Sequence, residues 1–278
     1  MTLQKVVLIV MVHVGVCLGA PSIQLNIKDL PQYGLSLVPS IDPSFVARVQ
    51  ILLSNAVDPA VGLVMPFSAI LQNQSGADVV GFSMRWIWTD TAGRTTTHDV
   101  FYHNLNTPTV SAYRLPSGSA AFVSPYFAFV KYNSPKRLSS TQLNNLARMQ
   151  TQAAITISLD GVVFSDGRYV GPDEVGGFSE ALAVTQGEKA LMGEILSRRA
   201  SGQRDDDIFQ YVAQLAAPSP PIHFNLSALD WPMFHRQDTA HMLLRIYQQF
   251  GSAKAYAVAS ARIAATDLAL TKVNFNGN

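Results

Sequence analysis

The hydrophobic pattern divides the chain into three stretches of different period. From Val6 to Ala20 the residues are apolar, interrupted only by His13 and glycines. From residue 22 to about 175, short apolar runs alternate with turn-forming residues. The clearest run, Phe82-Ser-Met-Arg-Trp-Ile-Trp88, places Phe82, Met84, Trp86 and Trp88 on one face and Ser83, Arg85 and Ile87 on the other. That is period two, and it predicts a half-buried strand, because successive strand side chains point in opposite directions. Asp90-Thr-Ala-Gly93 supplies a turn, and Thr95 to Tyr102, rich in Thr and aromatics, reads as the returning strand. Val64 to Gln72 is a further predicted strand, ended by Asn73-Gln-Ser-Gly76. Others are expected at 109–115, 119–132 and 153–159. Asp160-Gly161 and Asp166-Gly167 read as hairpin turns, where positive φ is needed.

After Gly171-Pro-Asp173 the period becomes helical. A helix is predicted over Phe178–Ser201, stopped by Gly202. A second runs over Ile208–Ala217, opened by Asp205-Asp206-Asp207 at its positive end. Pro218-Ser-Pro-Pro221 is a stiff, extended break. Pro232 suits the first turn of a third helix that Gly251 stops, and 252–270 reads as a fourth. On the third helix Met233, Phe234, Gln237, Ala240, Leu243, Leu244, Tyr247 and Phe250 share one face. The expected fold class is therefore α+β. Residues 21–175 form an N-terminal antiparallel β-sandwich, immunoglobulin-like in its turn spacing and its buried Trp on a central strand, and 176–278 form a C-terminal α-helical region.

The N-terminal stretch changes the picture of where this fold works. Lys5, the apolar core that follows it and the small residues Gly19 and Ala20 make the three-part pattern of a secretory signal peptide over 1–20. The apolar stretch is shorter than the roughly 20 residues a membrane-spanning helix needs. Export to a periplasm, a cell surface or the medium is expected, with an uncleaved N-terminal anchor as the alternative. Cys17 is the one cysteine and lies in that segment, so thiol catalysis and cysteine-zinc sites are excluded from residues 21–278.

Charge narrows the partners. The chain carries 20 basic and 19 acidic residues, and charged residues make up 14% of it, against roughly 25% in an ordinary soluble protein. With no basic stripe, nucleic acid is not an expected partner. Neither a G-x-x-x-x-G-K loop nor G-x-G-x-x-G occurs, so no nucleotide and no cofactor are expected. A surface of uncharged polar residues suits a protein or a glycan.

Few residues are arranged for chemistry. His235, Asp238 and His241 fall at i, i+3 and i+6 of the third helix, and all three are residue types that ligate zinc. Helical pairs that share a metal usually sit four apart, and the alternative for this trio is a solvated face opposite the apolar one. His98 and His103 flank a predicted strand; Asp99, beside the first, points to the opposite face. The acidic loops at Asp160, Asp166 and Asp173 could gather around calcium or simply make turns. Gly177-Phe-Ser179-Glu-Ala181 is a loose match to a nucleophile elbow, and Ser179 fits better as a helix cap.

The set Asn73-Gln-Ser, Arg85-Trp86, Asp90-Thr-Ala-Gly93, Leu159-Asp-Gly-Val-Val-Phe164-Ser-Asp-Gly167 and Gly171-Pro-Asp173 resembles uncharacterised exported bacterial proteins with an immunoglobulin-like sandwich. The resemblance covers mainly residues 70–175 and implies no activity. The expected function is a non-catalytic exported or cell-envelope interaction module. The alternatives are a metal-assisted hydrolase and a membrane-tethered domain.

Overall fold

The computed structural model describes residues 23–53, 58–103, 105, 114–129, 137–217, 231–265 and 269–275. The expected signal segment 1–20, the proline break at 218–221 and nearly all of the predicted strand 109–115 lie outside them. The described chain is mixed α/β, with strands mostly before residue 171 and the long helices after it.

Among the described residues ten strands form two open sheets. The larger contains β1 (Gln24–Lys28), β4 (Val79–Thr89), β5 (Thr95–His103), β8 (Ala154–Phe164), β9 (Arg168–Val170) and β10 (Thr271–Lys272). Its order is β10-β9-β8-β4-β5, with β1 also paired to β8. The smaller runs β2 (Leu35–Pro39), β3 (Ala69–Asn73), β6 (Ala120–Val123) and β7 (Ala128–Phe129). The alternation read from Phe82 to Trp88 is realised in β4. Phe82, Met84 and Trp86 are buried, and the Trp86 Nε1–H donates to the Phe67 carbonyl at 2.9 Å. Residues of both sheets meet in one core, including Leu35, Leu71, Phe122, Met84 and Ile157.

Three features depart from a purely antiparallel strand region over 21–175. First, β1 pairs with β8, and β10 with β9, in parallel. Second, helices α1 (Phe45–Leu52), α2 (Pro59–Val64) and α3 (Ser140–Met149) lie within it. The predicted strand Val64–Gln72 therefore begins only at Ala69, because Asp58 caps α2 by accepting from the Ala60 amide at 2.8 Å and Pro59 starts its first turn. Third, Asp160-Gly161 is no hairpin turn. It lies inside β8, where Ser83 faces Gly161 and Met84 faces Leu159, leaving Asp160 as the extra residue of a bulge. Asp166-Gly167 does turn the chain, with Gly167 at φ 89°.

Helix α4 (Gly177–Ala200) joins the two halves. Its first turns carry Ala181 and Val184 onto Val80, Val163 and Tyr169 of the larger sheet. Its last turns pack Leu191, Met192 and Ile195 against α5 (Asp205–Ala216), α6 (Trp231–Phe250) and α7 (Ser252–Ala265). At Gly187 a Cβ would lie 2.9 Å from the Pro232 carbonyl oxygen, so glycine is what allows α6 to cross so closely. Gly202 and Gly251 end helices at φ 81° and 82°, as predicted. Ser179, however, is exposed and caps nothing. The Asp173 carboxylate takes the Phe178 amide at 2.9 Å instead, from a left-handed backbone at φ 61°.

Candidate functional site

A groove of about 950 Å³ runs along the outer edge of β5. One side of β5 is paired with β4, and no strand among the described residues pairs with the other. The groove wraps that edge. Its first wall is the Pro125–Tyr126 turn and α3, which presents Gln142 and Asn145. Its second is Glu180 of α4 with Phe234, His235 and Asp238 of α6.

Each wall is held by local chemistry. Helix α3 starts in a capping box. Ser139 Oγ accepts from the Gln142 amide at 3.2 Å, and Gln142 Oε1 accepts from the Ser139 amide at 2.9 Å. Tyr102, on the inner face of β5, donates its hydroxyl to the Ser124 carbonyl at 3.1 Å and fixes the turn that carries Tyr126. Burial raises the Tyr126 phenol above its usual range, with Asn145 opposing.

His98 sits where the inner face of β5 meets the groove. Its ring lies 6.2 Å from Trp88, nearly parallel, and 5.6 Å from Tyr126. Nε2 lies 2.6 Å from the Pro125 carbonyl, which can only accept, so Nε2 carries the proton. Burial pushes the imidazole below its ordinary value, so at neutral pH His98 is an uncharged donor. Asp99 points to the opposite face, as the strand period predicts. Arg85 clamps it with Nε at 2.8 Å and Nη2 at 3.2 Å, and its Nη1 reaches Glu174 at 2.8 Å. The pair His98–Asp99 therefore makes no acid–base couple.

The helix trio is not assembled as a metal site. His235 is buried, Asp238 exposed and His241 half-buried. No group of three or more His, Cys, Asp or Glu among the described residues is placed to hold an ion. The solvated face expected for the trio is corrected at His235, because α6 packs against α4 as well as α5 and α7. Its ring meets His103 of β5 edge-on at 6.3 Å, so the helix touches the strand half through this residue.

The acidic loops are likewise used internally. Asp160 is buried and accepts the Glu174 and Val175 amides at 2.9 and 3.2 Å; burial holds its carboxyl above the usual range. Asp173 takes the Tyr169 hydroxyl at 2.9 Å and pairs with Lys272, and Asp166 pairs with Arg168 at 2.7 Å. Gly171 permits this knot, since a Cβ there would lie 2.4 Å from the Asp160 carbonyl oxygen.

No protein-family model, curated protein or solved structure matches the chain. The groove has to be read from its own residues. The sequence reading missed Gln142, Asn145 and Phe234 as wall residues. Ser139-Thr-Gln-Leu, with Gln three residues after Ser, was the available signal for α3.

Proposed function

We propose that the chain is a non-catalytic binding module of the exported or cell-envelope class, and that the groove beside β5 takes an uncharged glycan. One observation carries this reading. The walls combine the Phe101, Tyr126 and Phe234 rings with the amides of Gln142 and Asn145 and the carboxylates of Asp99 and Asp238, and among the described residues neither Lys nor Arg lines the groove. Aromatic faces suit the C–H faces of sugars, while amides and carboxylates suit their hydroxyls. A phosphate or carboxylate ligand would find no counter-charge among the described lining residues.

Export is supported by the three-part pattern of residues 1–20. An immunoglobulin-like reading of the strand half is supported by strand order. β2-β3-β6 share one sheet and β9-β8-β4-β5 the other, the arrangement of strands A-B-E and G-F-C-C′, and Trp86 is buried on the strand that corresponds to C.

Thermal unfolding with a panel of neutral oligosaccharides tests the proposal. A site occupied at about 100 times its Kd stabilises by about 2.7 kcal/mol, and in a chain this size each kcal/mol moves Tm by roughly 2–4 °C. Tyr126→Ala and Asn145→Ala should abolish the shift. A panel without any shift, or a shift that survives both substitutions, rejects the glycan reading and leaves a protein partner.

A further inference from the structure

The groove does not end at His98. That residue and Asn145 also line a smaller pocket of about 190 Å³, so the two spaces adjoin. The pocket lies between the turn end of the β4–β5 hairpin and the C-terminal end of α3. The hairpin contributes Trp88 and its register partner Thr96; the helix end contributes Arg148 and, just beyond it, Gln152. At roughly 30 Å³ per molecule of liquid water, this space takes a group of several heavy atoms.

Two polar atoms of its lining residues are left over from the fold. The Trp88 Nε1–H is buried and meets no acceptor among the described residues. A buried donor without a partner is costly, and native proteins mostly avoid it. His98 gives its one ring proton to the Pro125 carbonyl, which leaves Nδ1 as an acceptor, and no donor among the described residues reaches it. Burial keeps the imidazole neutral, so that lone pair persists at neutral pH. The two rings are nearly parallel, with centres 6.2 Å apart.

A ligand group that completes both atoms must accept at one end and donate at the other. A secondary amide does so. Its carbonyl takes the Trp88 Nε1–H and its N–H gives to His98 Nδ1, and hydrogen bonds of about 2.9 Å at either end of an amide cover the spacing of the rings. An acetyl methyl then has the apolar Trp88 ring to pack on. A carboxylate only accepts, so it would suit Trp88 and the exposed Arg148 but face the His98 lone pair. A sugar hydroxyl brings no methyl for the ring.

We propose that this pocket is a subsite for the acetamido group of a 2-acetamido sugar, and that the glycan in the groove beside β5 contains N-acetylhexosamine. The subsite rests on the glycan reading of the groove and narrows it.

The test compares sugars matched in linkage and differing in that group: tri-N-acetylchitotriose against cellotriose, and N-acetyllactosamine against lactose. A uronic-acid form of cellotriose is the carboxylate control. Calorimetry on the full chain should show the acetamido member of at least one pair binding roughly tenfold tighter, about what two neutral hydrogen bonds supply. The indole N–H resonance of Trp88 should move downfield with that ligand and stay in place with its partner. Trp88→Phe, which keeps a ring and removes the donor, should reduce the preference to roughly threefold or less. Equal binding within both pairs, with the indole resonance unmoved, overturns the subsite and leaves the glycan reading standing. A preference that survives Trp88→Phe places the acetamido group elsewhere and overturns it too. Tightest binding of the uronic acid overturns it in favour of a carboxylate held by Arg148. No binding by any of these sugars overturns the subsite and the glycan reading together.

Discussion

Protonating His98 would place a charge among the Trp88, Tyr126 and Trp86 rings, where burial already lowers the affinity of the imidazole for a proton. The unfolded chain binds that proton more readily, near the ordinary pKa of about 6.5. The contribution of neutral His98 is therefore complete above that value and is lost as pH falls from there through the lowered folded pKa. Urea midpoints measured from pH 7.5 to 5 should decline across this window, and His98→Gln, which keeps a donor for the Pro125 carbonyl, should flatten the decline. An equal slope in both proteins would assign the effect elsewhere. Asp160 shows how one residue misleads a sequence reading. Asp-Gly is turn chemistry, yet here the aspartate sits in a strand because its carboxylate satisfies two amides of the loop before α4.

At the scale of elements, the crossing of α4 and α6 turns on Gly187, which touches the Pro232 carbonyl and lies close to the Arg236 amide. Gly187→Ala would normally favour a helix by up to about 1 kcal/mol; here the added methyl should override that gain and push α6 outward. Expected is a net loss of about 1–3 kcal/mol, with the His103–His235 contact loosened, read by chemical denaturation and by the His235 imidazole resonances. Long elements with marked ends were legible: β4 by its alternation, α4 to α6 by their acids, proline and terminal glycines. Short ones were not. Phe45 to Leu53 is an apolar run that fits a buried strand as well as a helix, and only its burial of Phe45 and Val49 one turn apart decides for α1. The groove was legible in part. His98, His103 and Asp238 stood out as residue types, but their common location depends on β5 being an edge strand, which no local pattern encodes. His235 was assigned to water because a single apolar stripe was drawn on a helix that is packed on several sides.

Among the described residues one core lies between the sheets and another among α4–α7, joined through the first half of α4. Leu191→Ala empties part of the helical core and should cost about 2–5 kcal/mol. Hydrogen exchange should then accelerate in α5, α6 and α7 while β3, β4 and β8 keep their protection. Uniform acceleration would mean that the halves unfold as one unit. The pairing of the larger sheet also sets an order of events during synthesis. Among the described strands β1 pairs with β8, and β4 lies between β8 and β5. At roughly 5–20 residues per second, the ribosome needs about 7–27 seconds to reach residue 164 after making residue 28. For that interval the first strand has no partner and the Trp-rich fourth has only a hairpin. A chain built this way cannot close the centre of its larger sheet until β8 has been made.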